Sequence, residues 1–247
     1  MNLRKRCIGL VIFLMIPWVS PQAQPTIAPD RPGLGNGTHV VYPSITYLET
    51  GVEYYEGGAV DQFSFGQVLF RHGLSKGMEF RLLLNSFILE TRPVNNETGA
   101  ADPGVGLKFN IYDNPLSRIK LSGLGSVSIP AGYSPFTDNK WHPSASLLAD
   151  YKITPYWIVT SNAGFTYGPD ESRNIVMVSV TPTYSVPSTE WGGYAGYAGY
   201  FSGSYNQHFL EAGVTRIVLD RLQFDVNGGV ETKAGDLFVG VGFAFLF

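Results

Sequence analysis

The sequence predicts an all-β chain, a transmembrane antiparallel up-and-down β-barrel of about twelve strands. Three observations carry this expectation. The 247 residues are 44% hydrophobic and only 15% charged, yet mean hydropathy is +0.03. That is too low for a bundle of membrane helices and suits a barrel wall, where every second residue can be polar. From Ser44 onward, short segments alternate apolar and polar residues between Gly, Pro, Asn and Asp clusters, which is the period of a β-strand. The chain also ends on such a segment, "DLFVGVGFAFLF". There Leu237, Val239, Val241, Phe243, Phe245 and Phe247 alternate with Phe238, Gly240, Gly242, Ala244 and Leu246.

The chain begins with Arg4, Lys5 and Arg6, followed by the apolar "CIGLVIFLMI" and Pro17. A basic start followed by a short apolar run reads as a secretory signal peptide over residues 1–23, cut near Ala23 or Gln24. The run is too short for a membrane anchor, which needs roughly 20 apolar residues. Cleavage removes three of the 17 basic residues and none of the 20 acidic ones, so the formal net charge falls from −3 to −6. An acidic chain of this kind is a poor partner for nucleic acid. The sole cysteine, Cys7, leaves with the signal. The mature chain therefore has neither disulfides nor a thiolate metal site.

Residues 24–43 are rich in Pro and Gly and show no period. They read as an irregular leader, with Asp30, Arg31 and Pro32 as candidates for plugging the lumen. The barrel is expected over 44–247. Its strands fall near 44–55, 62–72, 77–90, 104–112, 117–129, 144–153, 156–167, 174–185, 190–201, 206–218, 222–231 and 236–247. Spread over a mature chain of about 224 residues, this leaves about 19 residues for each strand and its connection, which fits tilted membrane strands. Connections after odd-numbered strands include "EGGAVD", "TRPVNNETGAADP", "PAGYSPFTDNKWH" and "GPDESR". Those after even-numbered strands are "GLSK", "DNPL", "TP", "PST" and "LDR". Long loops on one side and tight turns on the other match bacterial outer-membrane barrels and put both chain ends in the periplasm.

Alternation assigns the two faces. Met78, Phe80, Leu82 and Leu84 oppose Glu79, Arg81, Leu83 and Asn85. Val105, Leu107, Phe109 and Ile111 oppose Gly106, Lys108, Asn110 and Tyr112. Leu222, Phe224 and Val226 oppose Gln223, Asp225 and Asn227. The apolar members are expected to face lipid. Aromatics gather at the strand ends, with Tyr112, Tyr156, Trp157, Tyr184 and Trp191 by the short turns. Tyr54, Tyr55, Tyr133, Trp141 and Tyr167 lie by the long loops, a two-girdle interface pattern. In "WGGYAGYAGYF", Tyr194 and Tyr200 should point one way and Tyr197 the other, with the glycines relieving crowding in a curved sheet. A last strand that closes a barrel by pairing with the first is neither an edge nor a fraying end.

The expected interior carries Glu49, Glu53, Glu79, Arg81, Lys108, Lys120, Asp150, Lys152, Glu211 and Asp225. Intramembrane charges pair with one another or touch water. They can therefore line a pore or fill a narrow lumen as ion pairs, and about twelve strands is compatible with either. The histidines are His39, His72, His142 and His208. His142 and Ser144 share a strand face but lack the further residues that nucleophilic catalysis needs. No metal-binding or phosphate-loop motif occurs, and neither a cofactor nor a catalytic residue is expected.

"DRPG" at Asp30–Gly33, then "YLETGVEY", "RHGLSKGMEFRLLL", "DPGVGLKFNIY" and "HFLEAGVTRIVLDRLQFDVNGGVE" with the final strand resemble a widespread group of Gram-negative proteins. These are the transporters described as "putative MetA-pathway of phenol degradation", a family of outer-membrane β-barrels. The resemblance implies an exported protein of the cell outer membrane. Its partners would be outer-membrane lipids, the barrel-assembly machinery and an unnamed small solute. The family name suggests hydrophobic or aromatic compounds. Phe243, Phe245 and Phe247 resemble the terminal signal read by that assembly machinery. Three function classes stay open from the residues: a passive channel, a plugged structural or interaction barrel, and a lipid-modifying enzyme.

Overall fold

The computed structural model describes residues 27–58, 60–168, 174–203 and 206–247. The proposed signal peptide, residues 1–23, lies outside them. The strands are β1 (Thr46–Gly57), β2 (Val60–Phe65), β3 (Val68–Ser75), β4 (Met78–Leu84), β5 (Phe87–Thr91), β6 (Glu97–Ala100), β7 (Gly104–Asp113) and β8 (Ile119–Ser128). They continue with β9 (His142–Lys152), β10 (Trp157–Thr166), β11 (Ile175–Ser185), β12 (Trp191–Phe201), β13 (Asn206–Val218), β14 (Leu222–Glu231) and β15 (Leu237–Leu246).

Neighbours pair antiparallel in the order β1, β3, β4, β7 and then β8 to β15, and β15 pairs back to β1. That ring is a closed barrel of twelve strands. The final strand is held along its length, with Tyr47 opposite Leu246 and Glu56 opposite Leu237. The twelve-strand ring therefore has no open edge, as a bilayer requires. The first described residue, Ile27, and the C-terminal Phe247 both lie at the end of the barrel that carries the tight turns. Among these, Leu219 and Asp220 both adopt positive φ (57° each). They lie in the three-residue turn, 219–221, that joins Val218 of β13 to its partner Leu222 of β14.

The three remaining strands are not additional staves. β2 continues β3, β5 continues β4, and β6 continues β7; β1, β2, β5 and β6 pair in that order at the long-loop end. The expected strands 62–72 and 77–90 are thus each broken, at 66–67 and 85–86. The expected loop 91–103 contains a strand and a break at 101–103. Each break reverses the side-chain alternation, as a bulge does. Ser64 is buried and Phe65 exposed before the first break, whereas Arg71 is buried and His72 exposed after it. The side chain of Asn85 reaches the Asp102 carbonyl across two of the breaks. The Asp102 carboxylate accepts from the Ala131 and Gly132 amides, which seats the loop after β8 over β6.

The outer face is apolar as expected. Leu107, Leu147, Phe224, Val226, Leu237 and Val239 are all exposed. The Trp157 and Tyr184 rings lie 4.8 Å apart at a tilt of 32°, and the Arg216 guanidinium lies 5.2 Å from the Trp191 ring, both at the short-turn girdle. The interior inverts the usual core, because Glu49, Arg71, Glu79 and Lys108 are each 0% exposed. Tyr194 and Tyr200 face inward and Tyr197 outward. The Tyr194 ring covers Gly213, where a Cβ would collide with it.

Candidate functional site

Residues 27–43 have no regular structure and rise inside the barrel to mid-height before returning. The Ile27 amide donates to the Asp220 carbonyl of the short-turn rim (3.0 Å). At the apex, the Leu34 amide donates to Glu211 (3.0 and 3.2 Å) and the Asn36 amide to Asn162 Oδ1 (2.6 Å). The return arm passes so close to Gly73 that a side chain there would overlap the Tyr42 carbonyl. An irregular segment leaves its amides without ladder partners, so the wall must supply acceptors. Glu49 accepts from the Asp30 and Arg31 amides, Asp150 from Thr38, and Glu79 from Val41 (2.7 Å).

Asp30 is the hub of this arrangement. Its carboxylate accepts from Arg81 Nη1 (2.5 Å) and from Lys108 Nζ (2.8 and 3.0 Å), with Arg71 Nη1 at 3.6 Å. It also accepts from the Gly37 amide (3.1 Å), which ties the rising arm to the returning one. Arg71 in turn holds Glu49 (2.9 Å) and Glu79 (2.9 Å). Three carboxylates, Asp30, Glu49 and Glu79, thus neutralise three cations, Arg71, Arg81 and Lys108. Charges this deep require such matching.

Arg31 turns the opposite way and pairs with Asp225 (3.1 Å). Its guanidinium fills a niche over Gly51 and Gly242, which face each other across the β1–β15 seam. The small-residue face of the last strand therefore accommodates the leader. Ala244 and Leu246 on the same face pack with Ile27, Val41 and Tyr47.

The leader separates two cavities. The outer one, about 440 Å³, is lined by Leu69, Leu83, Leu124, Arg81 and Asn36, with His142 and Ser144 among its further lining residues. The inner one, about 420 Å³, is bounded by the leader and by Thr160, Thr181, Thr183, Thr215 and Gln223.

A family model described as "Putative MetA-pathway of phenol degradation" matches residues 29–247. The chain belongs to this family. No curated protein matches it. Among solved structures it is similar to the COG4313 outer membrane channel from Pseudomonas putida F1, with TM-score 0.70 and 10% identity over 88% of this chain and 99% of that one. It is also similar to the KdgM porin in complex with oligogalacturonate (TM-score 0.58, 12% identity, 81% and 98% covered). The NanC porin is comparable (TM-score 0.58, 10% identity, 80% and 98% covered). These likenesses bear on the fold. With the lipid-facing belt and the family match, they make the chain an outer-membrane β-barrel of a Gram-negative cell, in contact with outer-membrane lipids.

Within this family member, the residues expected in the interior divide into two groups. Glu49, Glu79, Arg81, Lys108, Asp150, Glu211 and Asp225 all contact the leader. Glu53 faces inward from β1. Lys120 pairs with Asp113 (2.8 Å) and is half-exposed near the short-turn end, where Lys152 is also exposed. Lys152 is therefore not brought to the acids. Pro32 lines the inner cavity beside Asp30 and Arg31. Phe243 and Phe247 are exposed on the lipid side. His142 and Ser144 do not bond to each other. His142 Nε2 meets Asp138 (2.9 Å), and Ser144 Oγ meets Ser126 Oγ (2.7 Å). Among the described residues no cluster of three or more His, Cys, Asp or Glu is placed to hold a metal.

Arg71 is the largest omission from the expected interior. Continuous alternation from Phe63 and Phe65 assigns it to lipid, and the break at 66–67 turns it inward. Asn162 and Gln223 were also missed as leader acceptor and donor, because neutral amides on an inward face look like ordinary lumen polarity.

Proposed function

We propose that the chain is a passive outer-membrane channel for small solutes whose lumen is closed at rest by residues 27–43. The observation that carries this reading is the matched set of contacts between leader and wall. Four wall carboxylates accept leader amides, and Asp30 sits among three buried cations. A purely structural filling would not need a cavity on each side of it. The residues around the leader comprise Glu49, Glu53, Glu79, Asp150, Glu211 and Asp225 against Arg71, Arg81 and Lys108. An emptied lumen would therefore be acidic and favour cations. The leucine-lined outer cavity and the family description support hydrophobic or aromatic solutes. No catalytic role is proposed. The assembly machinery is proposed to read Phe243, Phe245 and Phe247.

Planar-bilayer recording of refolded protein tests the reading. Full-length chain should be mostly silent, and chain lacking residues 27–43 should conduct with cation preference. Silence from both would leave a filled structural barrel.

A further inference from the structure

We propose that the outer cavity is a binding site for a small amphiphilic monocarboxylate, an acid group on an apolar body, with Arg81 as its carboxylate anchor. This rests on the channel reading and concerns a ligand held in the outer cavity, whose one fixed charge is positive while the lumen around the leader is acidic. Three leucines, Leu69, Leu83 and Leu124, form the apolar part, and Arg81 is the one residue of fixed charge among the described lining residues. Among the described residues no acid lines this cavity, although acids outnumber bases around the leader. A volume of about 440 Å³ suits a single-ring or short-chain molecule, lying within the ~300–1,000 Å³ range of small-molecule sites.

The geometry of Arg81 supplies the anchor. Its Nη1 is committed to Asp30 and Glu79 (2.5 and 3.2 Å). Its Nη2 meets only the neutral Asn36 Oδ1 (3.1 Å), and its Nε–H has no partner among the described residues. The Nε–Nη2 edge of a guanidinium is a two-donor fork that matches a carboxylate. Asp30 already shows that this cluster accepts a carboxylate on its other side. A ligand acid would replace the Asn36 side-chain oxygen. The Asn36 backbone could stay in place through its two bonds to Asn162 (2.6 and 2.9 Å). A neutral amide would thus give way to a charge-assisted pair, while the apolar body lies on the leucines.

Calorimetric titration of refolded full-length chain with 3-phenylpropionate and 3-phenylpropionamide tests this without requiring conductance. Octanoate and octanamide supply a chain-shaped body. The expected result is an acid bound roughly tenfold or more tighter than its amide, with either body. Arg81→Gln should bring the two to equal affinity. Leu83→Asn should weaken acid and amide alike. Asn36→Ala removes the competing oxygen and should tighten the acid severalfold while leaving the amide unchanged. Equal binding of acid and amide, an acid preference that survives Arg81→Gln, or no binding of any probe would overturn the proposal. Should Arg81→Gln fail to refold, an unchanged acid affinity in Asn36→Ala would overturn it independently. Failure of the channel reading appears separately, as silence of the leader-deleted chain in bilayers.

Discussion

Replacing Asp30 with asparagine perturbs the closed state at its hub while preserving shape. In the native arrangement three carboxylates balance Arg71, Arg81 and Lys108, and the side chains of Arg71 and Lys108 are 0% exposed. The substitution leaves two acids for three cations in a dry site. Breaking a buried pair from one side costs about 3–5 kcal/mol. The amide can still accept a hydrogen bond, so the lower figure applies. The cost falls on docking because an undocked leader lets water reach the same cations. At about 1.4 kcal/mol per tenfold, a loss of about 3 kcal/mol raises the undocked-to-docked ratio roughly a hundredfold. The assay is single-channel recording of Asp30→Asn beside the native chain, with heat-modifiable migration confirming an intact barrel. Open events should become roughly a hundred times more frequent. An intact Asp30→Asn barrel as silent as the native one would refute the view that this ion cluster holds the leader.

Other substitutions probe the Arg31 niche, the facing of β4 and the terminal aromatic. Gly242→Leu fills the niche of the Arg31 guanidinium. It should expose the leader to added protease while β15 still closes the barrel, and unchanged protection would show that Arg31 does not anchor the segment. Phe80→Arg puts a cation into lipid at a cost of about 2–4 kcal/mol. It should lower the insertion yield, whereas Arg81→Ala should insert normally; equal yields would contradict the facing of β4. Phe247→Ala should reduce outer-membrane levels and increase periplasmic degradation, as seen by fractionation and blotting. An unchanged yield would make this residue ordinary lipid-facing surface.

Period-two alternation made the twelve staves legible, because each strand separates a lipid face from an interior face. The closing strand was legible for the same reason, and its glycine face acquires a purpose only once Arg31 lies over Gly51 and Gly242. The three breaks at 66–67, 85–86 and 101–103 were not legible. A bulge leaves composition unchanged and shifts parity by one, which moves Arg71 from the apparent lipid face to the centre of the ion cluster. The leader has no period, so its position depends on contacts far along the chain. Asp30 meets Lys108 and Arg31 meets Asp225, and nothing local in "APDRPG" specifies those partners. Glu49, Glu79, Asp150 and Glu211 accept backbone amides of the leader, a task set by a segment whose path the sequence does not reveal.

The most direct test ties the leader to the wall reversibly. The sole cysteine of the sequence is Cys7, so the expected mature chain offers a thiol-free background. A Cβ at Gly35 would lie 2.8 Å from Ser179 Oγ, where a cysteine sulfur would sit. That separation is compatible with the geometry of a disulfide. Gly35→Cys with Ser179→Cys, added to Asp30→Asn, should therefore be recorded in bilayers before and after reductant. Silence is expected while oxidised and open events once reduced. Equal conductance in the two states would contradict closure by residues 27–43.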